Sequence, residues 1–506
     1  IKNRVLLVFL FINFYICLIV KVVKPMLISF LLFLALFVAV GLSSYFFSQK
    51  TKQDYYLASG QIRPSLVGLS AVATNNSGYM FIGLMGYVYA VGLQAMWLMV
   101  GWIVGDFIAS SFVHKRLKAA TVKSGEVSYA GVLSHWYGAG QKSDQLQRVI
   151  GIISLLFLLA YAAAQLVAGA KALQVLLDVP AWAGAAVGAI LVALYCVAGG
   201  IRASIWTDAA QSLVMIAAMA ILLWVALEGM GGFEASVTQM QQIEGFLDWF
   251  PKELLLPGAA GAILFVLGWV FAGFSVIGQP HIMVRFMTLD ADLTASASSR
   301  VSNMTRARSW YYLWFILFWG LATGVGMLSR LYIADTGSFD SELALPTLAQ
   351  QLLSPAFVGL ILAGLFAATL STADSLVLGC SAAISHDILP DKIENTALIK
   401  FTTVAVTGLA LLWALLNSAS VLDLVILAWS GLGSAFAPLL LVLCLSGRPS
   451  QNTSIGMVLS GLIVALLWRY GGLNSVVYEG VPGMLAGFAI YGVSLGLRSN
   501  SNPVQK

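Results

Sequence analysis

The sequence is poor in most of what an enzyme or a nucleic-acid partner is built from. Only 10% of its 506 residues are charged, and it holds just four histidines and four cysteines. Cys17, Cys196, Cys380 and Cys444 lie far apart in apolar runs, which offers neither a metal-binding spacing nor a disulfide pattern. His114, His135, His281 and His386 fall in or beside what read as short basic loops, so no cluster of His, Cys and carboxylate is available for catalysis. These absences exclude an enzyme. Long polar stretches between the apolar runs are also lacking, so no soluble domain is expected.

What is present in excess is apolar length. Apolar residues make up 59% of the chain, and runs of about 20, enough to cross roughly 30 Å of hydrocarbon as a helix, recur throughout. Thirteen spans are expected, near 26–47, 65–91, 93–113, 148–175, 179–199, 204–226, 262–284, 309–332, 356–380, 401–417, 420–446, 453–471 and 482–498. Of the 27 Lys and Arg residues, nineteen, Arg285 among them, fall in loops on one side, and only Lys252, Arg330 and Arg469 fall on the other. That asymmetry marks the cytoplasmic side and puts the C-terminal tail, 501–506, inside. The net charge of +5 therefore reflects topology and requires no nucleic acid. Residues 1–25 do not fit, since Lys21 and Lys24 would lie outside; they read as an over-extended start or an extra hydrophobic segment ahead of Met26. The lipid bilayer is the partner of residues 26–500, read as one domain.

Two spans are interrupted. The second carries "SAVATNNSGY" (70–79), and the seventh closes with Gly278, Gln279 and Pro280. They lie five spans apart, the spacing of a five-plus-five inverted repeat whose halves cover about 65–226 and 262–446. A helix that unwinds in lipid strands backbone carbonyls unless they line a cavity or hold an ion. Thr74, Asn75, Asn76, Ser77 and Gly78 suit an unwound segment, whose freed carbonyls would bind a hard cation. A seam of small packing residues is the alternative. In the ninth span, "AATLSTADS" puts Ala368, Ser371, Thr372 and Ser375 on one face with Asp374 at its edge, and a carboxylate there is costly enough to suggest a function. "GGIRASIWTDAAQ" brings Thr207 and Asp208 into the sixth span, where a helix-start cap is the plainer reading. Asp106 has little polar company and reads as structural.

Together "DYYLASGQIRPS", "SAVATNNSG", "YAAAQLVAGAKAL", "GGIRASIWTDAAQ", "GQPHIMVRFM" and "STADS" followed by "SAAISHDI" resemble the solute:sodium symporter family, closest to its sodium/proline branch, over nearly all of 26–500. The resemblance implies an all-α membrane protein of thirteen spans with the leucine-transporter-like fold, which carries a solute with sodium across the cytoplasmic membrane. By motif position it implies sodium ligands in the carbonyls of Ala73, Asn76 and Ala368 and the hydroxyls of Ser371 and Thr372. A second sodium would use Asp208, Ser371, Asp374 and Ser375. The solute would lie beside Asn75, Ser77, Tyr161, Gln165 and Gln279, with Gly278 and Pro280 as the hinge.

The solute side departs from the pattern. Asn75 stands where the proline branch has Asp, and Ala272 and Val276 stand where it has Trp and Tyr. Gln165 replaces a small residue and can hydrogen-bond a carboxylate or amide. An amino acid such as proline is expected, with another small carboxylate as the alternative. A sensory module on the same scaffold and a sodium leak channel are the rivals from other classes.

Overall fold

The computed structural model describes residues 24–138, 144–290, 302–334, 337–389, 393–416, 420–475 and 477–501, so the reading of residues 1–25 and of the tail lies almost wholly outside it. Among the described residues the structure is helical. The elements used below are α1 (Lys24–Ser43), α2 (Pro64–Tyr79), α3 (Met85–Val91), α4 (Met96–Ser124), α5 (Asp144–Leu177), α6 (Ala181–Gly229), α7 (Gly258–Phe274), α8 (Pro280–Met287), α9 (Asn303–Tyr332), α10 (Pro355–Ala382), α11 (Thr396–Leu416), α12 (Val421–Cys444), α13 (Gln451–Tyr470) and α14 (Gly480–Ser501).

Among the described residues eleven helical runs are long and apolar enough to cross a membrane, against the thirteen spans expected. Two of the eleven, Pro64–Ser124 and Ala181–Gly229, have 61 and 49 residues. At 1.5 Å per residue these would be ~90 and ~70 Å long if straight, far more than one crossing. Each contains two of the expected spans, and each bends at a glycine of positive φ, Gly92 (69°) or Gly200 (55°).

The centre of the fold is α10, which packs against α1, α2, α5 and α6. Its small residues let those neighbours approach closely, the usual device where lipid offers no hydrophobic drive between helices. Around it the sequence motifs meet one another. Arg202 of "GGIR" donates to Asp54 Oδ1 of "DYYLASG" at 2.7 Å and to the Ala58 carbonyl at 3.0 Å. Gly200 lies against the Tyr55 carbonyl, where an added Cβ would come within 2.4 Å. A short parallel bridge joins Ile62, just before α2, to Leu289, just after α8.

Both interrupted helices are broken, and the first break is narrower than the five residues expected. The backbone stays helical through Asn76 and breaks at Ser77 (φ 36°, ψ 175°), followed by a wide turn at Met80–Leu84. Helical geometry persists because hydroxyls of α10 bond the carbonyls of Ala73 and Thr74. In the second, α7 ends at Phe274, Ser275–Gly278 tightens into a 3₁₀ turn, Gln279 is extended, and Pro280 opens α8 at the position where a missing N–H costs nothing.

Gly200→Ala forces an L side chain into left-handed φ at about 1–2 kcal/mol and into the Tyr55 carbonyl besides. It should lower the thermal unfolding midpoint in detergent. Gly408→Ala, with nothing within 4 Å, should leave it unchanged.

Candidate functional site

The polar face of α10 is completely buried and turned toward the break in α2. Ser371 Oγ lies 3.1 Å from the Ala368 carbonyl and 3.3 Å from that of Ala73, and Thr372 Oγ1 donates to the Thr74 carbonyl at 2.9 Å. Three of the five expected sodium ligands, Ala73, Ala368 and Ser371, thus share one set of contacts, while Thr372 turns to the neighbouring Thr74 carbonyl. Asn76, the fifth, is buried one residue before the break, and its Oδ1 has no hydrogen-bond partner. Neutral oxygens from two helices are the donor set a hard monovalent cation takes.

Beyond the break lie the residues expected to face the solute. The Gly78 N–H donates to Gln165 Oε1 at 2.8 Å, and Tyr161 OH to Ser77 Oγ at 3.3 Å. Gln279 Nε2 donates to the carbonyls of Ser275 and Trp429. This leaves Asn75 Oδ1, Gln165 Nε2 and Gln279 Oε1 buried without a partner. Buried polar atoms are normally satisfied, so these three, on the two broken helices and α5, remain able to bond a polar molecule or water. Gly78 is required there, since a Cβ would come within 2.4 Å of Thr369 Cγ2 and 2.9 Å of Gln165 Oε1. Gly278 of the second break meets Gly433 of α12 with equally little room.

Two residues of this region escaped the sequence reading. Asn75 Nδ2 donates to Tyr311 OH at 2.5 Å, and Tyr311 and Tyr312 both donate to Asp106, which is therefore structural, as expected, but one step from the break. Trp429 of α12 donates from its indole to the Ala272 carbonyl at 2.7 Å and packs at a tilt of 43° against Trp102, so an aromatic from a later helix stands beside the small Ala272. Nothing local in the sequence marks either one.

Nearer the cytoplasmic side, Asp208 and Asp374 are fully buried and close together, and a cation lies with them. Arg285, counted among the loop residues, is 0% exposed. It stands 3.5 Å from Asp208 Oδ2 and 3.8 Å from Asp374 Oδ1, and donates to Ser204 Oγ and Ser375 Oγ. The loop placement fails because α8 restarts at Pro280 inside the protein, so Arg285 is only a turn and a half past an interior break. His281 of the same helix is likewise buried, edge-on to Tyr161, and His114 is stacked on Phe286. Ser70 and Ser204 complete the group by donating to Asp208 and Asp374 at 2.6 and 2.8 Å.

The family model described as the sodium:solute symporter family matches residues 55–452, which include all of these residues. The chain belongs to that family. This symporter is a multi-pass protein of the cytoplasmic membrane that couples sodium to the movement of a small solute. It is 31% identical over 487 residues to a sodium/proline symporter of Salmonella typhimurium, covering 92% of this chain and 91% of that one. A high-affinity proline transporter of Bacillus subtilis is 26% identical, with 92% and 97% covered. Among solved structures, a Na+-coupled sialic acid symporter superposes with a TM-score of 0.73 at 16% identity, over 94% of this chain and 98% of that one. A nucleobase-cation-symport-1 family transporter gives 0.56 at 16% identity, over 89% and 96%. These likenesses show the fold, which is leucine-transporter-like.

In the symporter, Gly78→Ala should cut sodium-driven uptake at least tenfold in proteoliposomes. Gly169→Ala, whose Cβ finds ordinary contacts at 3.5–3.8 Å, should retain it.

Proposed function

We propose that the solute is proline, taken up with sodium through the site formed by the breaks in α2 and between α7 and α8. The observation that carries this is the joint match to proline transporters along more than nine-tenths of the chain, together with unpartnered polar atoms at both breaks. Sodium would take the carbonyls of Ala73, Asn76 and Ala368 and the hydroxyls of Ser371 and Thr372. A hydroxyl can turn a lone pair to an ion in place of the hydrogen bond it donates, so the same atoms serve with and without it. Bound there, sodium would tie α2 to α10 and fix the break beside the solute.

The solute's carboxylate would find the Gln165 amide nitrogen and the N–H groups near Gly78, and its ring the apolar surface near Tyr161 and Ala272. Asn75, held by Tyr311, Ser77 and Gln279 would complete the wall. Gly278 and Pro280 would serve as the hinge, and the whole of 26–500 as one transport domain with inverted repeats at about 65–226 and 262–446. One positive charge moved inward is worth about 2.3 kcal/mol per 100 mV, a roughly fiftyfold accumulation before the sodium gradient is added.

The test is uptake of labelled proline into proteoliposomes under an inward sodium gradient, compared with potassium at equal ionic strength and with unlabelled amino acids and small carboxylates as competitors. Sodium-dependent uptake blocked by proline is expected. No sodium-dependent uptake of labelled proline, together with sodium-dependent uptake of another labelled carboxylate under the same gradient, would transfer the site to that solute. Ser371→Ala and Thr372→Ala should each raise the half-saturating sodium concentration at least tenfold, and unchanged sodium dependence in both would sink the ligand assignment.

A further inference from the structure

Arg285 reaches from α8 to the space between α6 and α10, where it is the only cation within 4 Å of Asp208 or Asp374 among the described residues. A guanidinium in a protein stays charged, so with both carboxylates ionised the group has a formal charge of minus one. That residue of charge sits on Asp208 Oδ1 and Asp374 Oδ2, both buried and without a hydrogen-bond partner. The group is continuous with the oxygens assigned to sodium. Thr74 Oγ1 is 3.3 Å from Ser375 Oγ and 3.5 Å from Asp208 Oδ2, while the Thr74 carbonyl accepts from Thr372.

Charge balance then limits the number of ions. One sodium on the neighbouring carbonyls and hydroxyls cancels the remaining negative charge, and a second would leave an uncompensated positive charge in a dry interior, which is costly. We propose that Arg285 is a tethered cation standing where a second sodium would otherwise lie between Asp208 and Asp374, and that it fixes the coupling at one sodium per solute. The proposal rests on the sodium reading given above. A cavity of about 40 Å³ is lined by Arg285, Ser375, Ser128 and Asp387, so shortening the arginine side chain enlarges the space beside Ser375.

The test counts sodium bound by the purified protein with labelled sodium at equilibrium, which needs no knowledge of the solute, and follows it with the ratio of sodium to proline flux in proteoliposomes. One ion is expected in the parent and two in Arg285→Gln. Arg285→Lys should bind one, because the cation is kept. The double variant Arg285→Gln with Asp374→Asn should also bind one, because the charge is restored to minus one, and a merely structural role for the arginine would not produce that return. Two ions in the parent, or one in a folded Arg285→Gln, would overturn the proposal alone. If Arg285→Gln does not fold, the double variant decides: one ion supports the charge count and any other number rejects it. No sodium bound by the parent would overturn the sodium site itself.

Discussion

A helix broken inside hydrocarbon leaves backbone groups that water cannot reach, and the site is organised around satisfying those at Ser77. The partners come from elsewhere in the fold: hydroxyls of Ser371 and Thr372 on α10 for the carbonyls of Ala73 and Thr74, and Gln165 on α5 for the Gly78 N–H. The break therefore joins three helices instead of weakening one. Because a hydroxyl both donates and accepts, the α2–α10 contact can be held by hydrogen bonds or through a cation bound to the same oxygens. An ion that entered this contact would change how firmly the two helices are held, and through the proposed sodium site would couple to the shape of the break.

Buried carboxylates are treated in two different ways around this centre. Asp106 receives two phenol hydroxyls, from Tyr311 and Tyr312, on its two oxygens, and so is satisfied within the protein. Asp208 and Asp374 each keep one oxygen without a partner although a guanidinium lies between them. A satisfied carboxylate orients its neighbours, here Tyr311 and through it Asn75. An incompletely satisfied pair favours a further positive charge nearby, and the neutral oxygens at Ala73, Ala368 and Ser371 lie on the adjoining stretch of α2 and α10.

The membrane class, the two broken helices and the polar face of α10 were legible in the sequence because each depends on local pattern: apolar length, Gly and Pro placement, and a 100° step along one helix. What was not legible depends on tertiary placement. Arg285 read as a loop charge because a basic residue after an apolar run normally marks the membrane edge, and only the restart of α8 inside the protein puts it in the interior. The extent of the first break was overestimated for a related reason, since the hydroxyls that keep Thr74 to Asn76 helical lie nearly 300 residues further along. Tyr311 sits on a helix with many other aromatics and Trp429 in an otherwise apolar run, so neither is singled out by spacing alone.

The arginine also connects charge to motion. It belongs to α8, the helix that follows the second break, and its contacts are to α6 and α10. The far end of α8 is joined to the start of α2 through Ile62, whose N–H donates to Thr288 O and whose carbonyl accepts from the Asp290 N–H. Thus the two broken helices are linked at one end by backbone hydrogen bonds, and one of them is anchored by an ion group to α6 and α10. A displacement of α8 away from both α6 and α10 has to separate Arg285 from Asp208 and Asp374, which is unfavourable while the carboxylates remain buried. Such a movement becomes easier only when other positive charge or water reaches Asp208 and Asp374.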